Sequence, residues 1–429
     1  MERQYFDRIG ETLYSERLEN GLSVFVVPKR GFSKAYAFFA VNYGAADTHY
    51  ILDGQEHKVP DGIAHFLEHK MFDMERGNAL QLLSELGAQP NAFTSTDITA
   101  YYFETTENFD ESLKLLIEFV STPYFTQESV EKEQGIIGQE IAMVENNPNW
   151  QVYMNLYRAL YANHPVRVAV AGTQESIGEI TADTLTRCHN TFYVPDNMVL
   201  CVVGDVAPEH IADIVKECVH PVSRMSAECI YGPDEPEDVC EHYASGEREI
   251  SMPLFMAGYK CKGAHGGWAA MKEELVADMA FQIVAGGSTK LYSDMYAEGI
   301  INDSFDWNWE TCRGTAAMVF GGESRDPRKV VERVQAEAER IAAEGLDAEL
   351  LRRLKKASVG KSIRSYDSFE AICYAQATAY FKGADCFRLP ELTEEITEEE
   401  VLEFIREKMV RDKLALSVIY PKKEEQDER

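Results

Sequence analysis

The residues with the clearest chemistry are His65-Phe66-Leu67-Glu68-His69. Histidines four apart share one face of a helix, one turn apart. Two imidazoles so placed can chelate a divalent ion, and the carboxylate before the second can act as general base for a water that the ion acidifies. With 10 His and 72 acidic residues in 429, the pattern His-x-x-acid-His arises by chance roughly 0.04 times per chain. The competing reading is two ordinary histidines on an amphipathic helix, with Glu68 solvated.

A catalytic zinc usually takes three protein ligands and keeps a fourth position for water. The run Val130-Glu131-Lys132-Glu133-Gln134-Gly135-Ile136-Ile137-Gly138-Gln139-Glu140-Ile141 offers a third. Glu133 and Glu140 are seven apart, on nearly the same helical face, with Ile136 and Ile137 between them. A carboxylate on an apolar face is costly unless paired or metal-bound. Such pairs are common in an acidic chain, so on spacing alone these are surface residues. The nine cysteines are scattered without a CxxC pair, which excludes a cysteine-ligated site and fits reduced thiols.

A formal net charge of −30 argues against nucleic acid, whose phosphates it repels. It could favour basic peptides, or simply reflect a solvated surface. No apolar run approaches the ~18 residues needed to span a membrane. Residues 1–17 mix both charges and lack an apolar core, so the expected location is cytoplasmic.

Several elements must position the motif. Asn20-Gly21 predicts a turn into a strand at 22–27, and 35–41 reads as another strand. Asp61-Gly62 is placed to cap the motif helix. A helix is expected at 75–86, ending at Gly87, then a polar, strand-prone stretch at Asn91-Ala92-Phe93-Thr94 and a further strand at 99–103. Helices follow at 111–120 and 128–144. The chain also repeats: Glu179-Ile180-Thr181 aligns with Glu395-Ile396-Thr397, Asp196 with Asp412, and Leu200 and Val202 with Leu416 and Val418, all at an offset of 216. A duplicated α+β unit is the natural reading. It gives an N-terminal domain at 1–222 carrying the metal motif, an acidic Pro- and Gly-rich linker at 223–246, and a homologous domain at 247–429 whose counterpart helix, 272–284, has no histidine. The charged tail from Lys422 is expected to fray.

Taken in order, Gly62-Ile63-Ala64-His65-Phe66-Leu67-Glu68-His69-Lys70-Met71-Phe72, then Asn91-Ala92-Phe93-Thr94, then Glu133 and Glu140, resemble the pitrilysin/insulinase family of inverzincin metallopeptidases. The likeness is to its half-length branch, which includes mitochondrial processing peptidase and the bacterial YmfH-type proteins. It implies two similar α+β domains per chain, each a mixed or antiparallel sheet with helices on one face. It implies one zinc per chain on His65, His69 and Glu140, with Glu68 as the base that later protonates the leaving amine. Glu133 would orient a ligand. Asn91, Ala92, Phe93 and Thr94 would lie on an edge strand that pairs with the substrate backbone. The implied activity is endopeptidase cleavage of peptides or short unfolded segments.

One departure bears on partners. Active family members carry an Arg and a Tyr after a Gly-rich stretch in the second half. That stretch is present at 286–292, but 295–303 holds no Arg; Tyr296 and Asn302 stand near the two positions. A phenol does not replace a guanidinium as a charge stabiliser. The expectation is a peptide chamber closed by a homologous chain that supplies the Arg/Tyr pair, or a homodimer with altered hydrolysis. The alternative is a non-catalytic, zinc-containing scaffold or peptide-binding subunit. Trp307 and Trp309, on the counterpart of the edge strand, are expected to pack rather than to touch substrate.

Overall fold

The computed structural model describes residues 1–218, 227–264 and 266–422. The expected frayed tail beyond Lys422 and the first linker residues, 223–226, lie outside them. Two compact units emerge: Met1–Ile141 with Ala169–Tyr231 and Lys361–Leu389, and Ala142–Val168 with Gly232–Gly360 and Pro390–Arg429.

Each unit is built on one large sheet. In the first, the strands run in the order Glu2–Phe6, Glu11–Arg17, Ser23–Pro28, Met198–Gly204, Ala35–Val41, Thr99–Thr105 and Gln89–Thr94. In the second the order is Tyr243–Arg248, Leu414–Pro421, Leu254–Lys262, Thr315–Glu323 and Asp306–Cys312. The last five strands of the first sheet and the five of the second share one pattern, a parallel pair followed by antiparallel pairs. The 216-residue repeat is therefore a repeated fold. Thr181 and Thr397, 216 apart, each close a capping box that opens the matching helices Ala182–Phe192 and Glu398–Lys408.

The central strands Ala35–Val41 and Met198–Gly204 are buried at every residue, because both sheet faces are covered. One face of the first sheet packs against helices Ile63–Met71, Phe109–Ser121 and Pro208–Cys218 in a single core. The other face, beyond the one-sided packing expected, carries helix Phe369–Lys382, where Tyr380 meets Phe25 at 5.4 Å and Cys373 Sγ donates to the Cys201 carbonyl. Helix Pro148–Leu160 does the same for the second sheet, with Tyr153 and Tyr157 hydroxyls donating to Glu310 Oε2 at 2.9 and 2.5 Å. Each half of the sequence thus lends one helix to the unit of the other. The compact units and the sequence division at 223–246 cut the chain differently. Tyr243 to Gly246, read as linker, already belong to a strand.

Two local expectations are corrected. The helix foreseen at 75–86 spans only Ala79–Glu85: Asn78 caps it by accepting from Leu80 N at 3.0 Å, and Glu75 and Arg76 instead turn a short hairpin that pairs Met74 with Gly77. The motif helix is entered through Gly62, and Asp61 makes no side-chain cap. Gly62 is required there on two counts. Its φ is +89°, and a Cβ would lie 2.4 Å from the Ala171 carbonyl oxygen.

The linker is anchored by Glu235. Its carboxylate accepts from the backbone N–H groups of Ala162, Asn163 and His164 and from Lys260 Nζ, at 2.7–2.9 Å. Burial opposes ionisation, but Lys260 and the three amides together hold the group down at about 2 from an ordinary 4.5. A depressed pKa contributes stability that is present above pH 4.5 and is lost as pH falls toward 2. Glu235→Ala also strands a buried Lys260 and is expected to cost about 3–5 kcal/mol at neutral pH. Denaturant midpoints measured against pH check this. An unchanged midpoint at pH 7, or a gap between the proteins that does not narrow in acid, contradicts it.

Candidate metal centre

The motif helix Ile63–Met71 buries Ile63, Ala64, Phe66, Leu67, Lys70 and Met71. His65, Glu68 and His69 remain half-buried on the one arc not packed into the core. Lys70 is buried against this logic and is neutralised by Asp73. Helix Gln127–Glu145 lies alongside, buried through Val130, Ile137 and Ile141. Gln134 pins it by donating to the carbonyls of Ile180 and Ile177 at 3.0 and 3.2 Å. Ile136, expected on the buried face, is 48% exposed. The packed stripe runs through Ile137, and Glu133 and Glu140 lie along its rim.

This packing brings five predicted residues together. His65 Nε2 and His69 Nε2 each lie 3.6 Å from an oxygen of Glu140. Among the described residues, one group of three offers ligand atoms within 4.8 Å of one another, and it is His65, His69 and Glu140. A tetrahedral zinc site with bonds of about 2.0–2.1 Å holds its donors roughly 3.4 Å apart, so the three fit such an ion with little movement. His69 Nδ1 faces Glu133 Oε1 at 3.1 Å. That bond places the imidazole proton on Nδ1 and leaves Nε2 as a lone pair toward the cluster.

The electrostatics agree with a cation site. Burial, reinforced by the charge on His69, lowers His65 to about 4, so its imidazole is neutral and able to ligate. Burial also acts on His69, but the carboxylates of Glu133, Glu68 and Glu140 outweigh it and raise that histidine. Glu133 is lowered chiefly by its bond to His69. Glu68 is raised by burial, against the pull of one hydrogen bond from Thr94.

That last bond was not foreseen. Gln89–Thr94 is the edge strand of the first sheet, paired on one side only, with Thr99–Thr105. Thr94 Oγ1 donates to Glu68 Oε2 at 2.6 Å, so Thr94 orients the carboxylate whatever its backbone does. The period-two alternation of a strand is the signal that separates Thr94 and Ala92 from Phe93 and Asn91. Sequence alone does not say which pair faces the motif.

The second unit has the same frame without the chemistry. Its helix Gly267–Ala285 carries no histidine. Trp309 is buried against Phe404, and Trp307 stacks on Phe281 and donates to Asp278 Oδ1 at 3.0 Å, so both tryptophans pack. Tyr296 is exposed, and Asn302 donates to Glu323 at 3.0 Å. The one cation of segment 286–303, Lys290, pairs with Asp294 at 2.5 Å.

Comparison with known proteins agrees with this fold. The family model for insulinase (peptidase family M16) matches residues 54–174, and that for the peptidase M16 inactive domain matches 179–358. The uncharacterized zinc protease YmfH of Bacillus subtilis (strain 168) is 37% identical over 430 residues, which cover 97% of this chain and 98% of the relative. A crystal structure from Alicyclobacillus acidocaldarius, described as M16-like peptidase, superposes with a TM-score of 0.93 at 31% identity, covering 96% of this chain and 99% of that one. The periplasmic protease PqqL from Escherichia coli shares the fold at 17% identity and a TM-score of 0.74, over 95% of this chain and 47% of its own. Among the described residues no helix is long and apolar enough to cross a membrane.

Proposed function

Because this chain belongs to the insulinase (M16) family of peptidases, we propose that it is a zinc-dependent endopeptidase that cleaves peptides or short unfolded segments in the cytoplasm. One observation carries the reading: His65, His69 and Glu140 converge within 4.8 Å, while Glu68 beside them is held by Thr94 and is not part of the cluster. Zinc in such a site supplies Lewis acidity, polarising the scissile carbonyl and acidifying a water.

The rest falls to the chain. Glu68 Oε2 is fixed by Thr94, which leaves Oε1 to take the proton of the attacking water and to return it to the departing nitrogen. Burial raises this carboxyl, which suits a group that must be protonated and deprotonated in one cycle. Glu133 holds His69 in its ligating form. The open side of Gln89–Thr94 pairs with an extended substrate through the main-chain groups that alternate residues of the run Asn91, Ala92, Phe93 and Thr94 turn outward, so recognition rests first on backbone.

Segment 295–303 of the second half holds no arginine. We therefore propose a two-chain chamber, with the charge-stabilising pair on a homologous partner. The same gap, together with a second half that matches a model described as inactive, favours the other reading, a zinc-containing peptide-binding subunit. Size-exclusion and peptide-cleavage profiling of the zinc-loaded chain, alone and with a co-expressed paralogue, separates them. Activity that appears only with the paralogue is the expected result. Full activity of a homodimer rejects the heterodimer, and stoichiometric zinc without cleavage in either preparation rejects the peptidase.

A further inference from the structure

The two faces of the edge strand differ. Thr94 and Ala92 lie on the motif side, where Thr94 reaches Glu68. Phe93 lies on the opposite side, 6.3 Å from Tyr102 and 5.9 Å from Tyr374, ring centre to ring centre. Phe38 underlies both, 6.1 Å from Phe93 and 5.8 Å from Tyr102, and is itself fully buried. Tyr374 belongs to helix Phe369–Lys382, the helix lent by the second half, and is 46% exposed. Phe93 and Tyr102 are half-buried. Phe93 thus stands on the open edge strand, with Tyr102 on the strand beside it and Tyr374 on the covering helix, and none of the three rings is fully buried.

A peptide paired to this edge alternates its side chains between the two faces. Residues opposite Thr94 point toward Glu68, and the residue opposite Phe93 lands against the rings. Directly opposed residues on a sheet lie about 4.5–5.5 Å apart at Cβ, within reach of aromatic contact. We propose that Phe93, Tyr102 and Tyr374 form a specificity subsite for an aromatic side chain of the extended peptide, one position out of phase with the residues that face Glu68. This rests on the edge-strand binding proposed above. Tilted ring pairs at these separations reward another ring beyond its buried area. Glu370, one helical turn before Tyr374 and exposed, sets a negative charge nearby that disfavours an acidic side chain.

The probe is a set of end-blocked decapeptides in which Phe, Leu, Arg or Asp is placed at each position in turn, with the cleaved bond mapped by mass spectrometry. Expected is a kcat/KM ratio of about tenfold for Phe over Asp at positions of one parity relative to the cleaved bond, and about twofold or less at the other. Tyr374→Ala should shrink the tenfold ratio to about threefold or less, and Tyr374→Phe should preserve it. Preference for Arg over Phe, no parity, or an unchanged ratio in Tyr374→Ala overturns the subsite. If the wild-type protein cleaves none of the set, the chemistry proposed above has failed separately. The same peptides are then titrated onto zinc-loaded Glu68→Gln protein, where a Phe-over-Asp affinity ratio lost on adding Tyr374→Ala upholds the subsite and a flat ratio overturns it.

Discussion

Glu68→Gln should keep about one zinc per chain and lose peptide hydrolysis by roughly a hundredfold to ten-thousandfold, the range general acid–base catalysis supplies. The exchange is nearly isosteric. Thr94 Oγ1, 2.6 Å from the carboxylate, can donate equally well to an amide oxygen, so the side chain should stay in place. His65, His69 and Glu140 are untouched, and so is the bond from His69 to Glu133. What disappears is an oxygen able to accept a proton from water and return it to the leaving nitrogen. The loss should appear in kcat with KM little changed, because Glu68 is not needed to hold an extended backbone. Metal analysis beside steady-state kinetics makes the test clean. Retained turnover in a metal-replete Gln variant assigns the proton to another group and rejects this role for Glu68.

Parts of this centre were legible in the sequence because their physics is local. An i, i+4 pair of histidines shares a helix face whatever the tertiary structure, and Asn20-Gly21 makes its turn from its own residues, with Leu22 N donating to Asn20 Oδ1. The strand and helix of the 216-residue repeat carry their burial pattern and capping threonines with them. Glu133 and Glu140 were legible as a spaced pair, but the direction of their face was not. A seven-residue interval fixes their mutual orientation and leaves open which flank is buried, so Ile136 and Ile137 exchange roles at no cost to the pattern. The side of the edge strand toward the motif was hidden for the same reason, since a shift of one residue inverts a strand. The exchange of helices Pro148–Leu160 and Phe369–Lys382 was hidden more deeply. An amphipathic period states that a face is covered and says nothing about which sheet covers it. Tyr374 therefore reached the candidate subsite from a stretch that the linear division assigned to the other domain.

Glu140 and Glu133 occupy similar places on one helix, and their substitutions should separate ligand from support. Glu140→Ala removes the oxygens that lie 3.6 Å from both imidazoles. Two histidines alone do not make a three-ligand site, so zinc should be lost on dialysis and activity with it. Glu133→Gln keeps all three ligands. It weakens only the bond at His69 Nδ1, and loss of such a supporting carboxylate typically lowers metal affinity or activity about 10- to 100-fold. Added zinc should thus rescue Glu133→Gln and fail to rescue Glu140→Ala. The acid side gives the same ordering. Before metal binds, the surrounding carboxylates raise His69 above its ordinary value, so protons compete for Nε2 and zinc affinity should fall as pH drops. Without Glu133 that histidine loses its strongest proton-holding partner, and the fall should begin at lower pH. Competition titrations with a zinc-sensitive chelator at several pH values measure both effects. Equal zinc loss in the two variants, or rescue of Glu140→Ala by zinc, would show that Glu140 is not the third ligand.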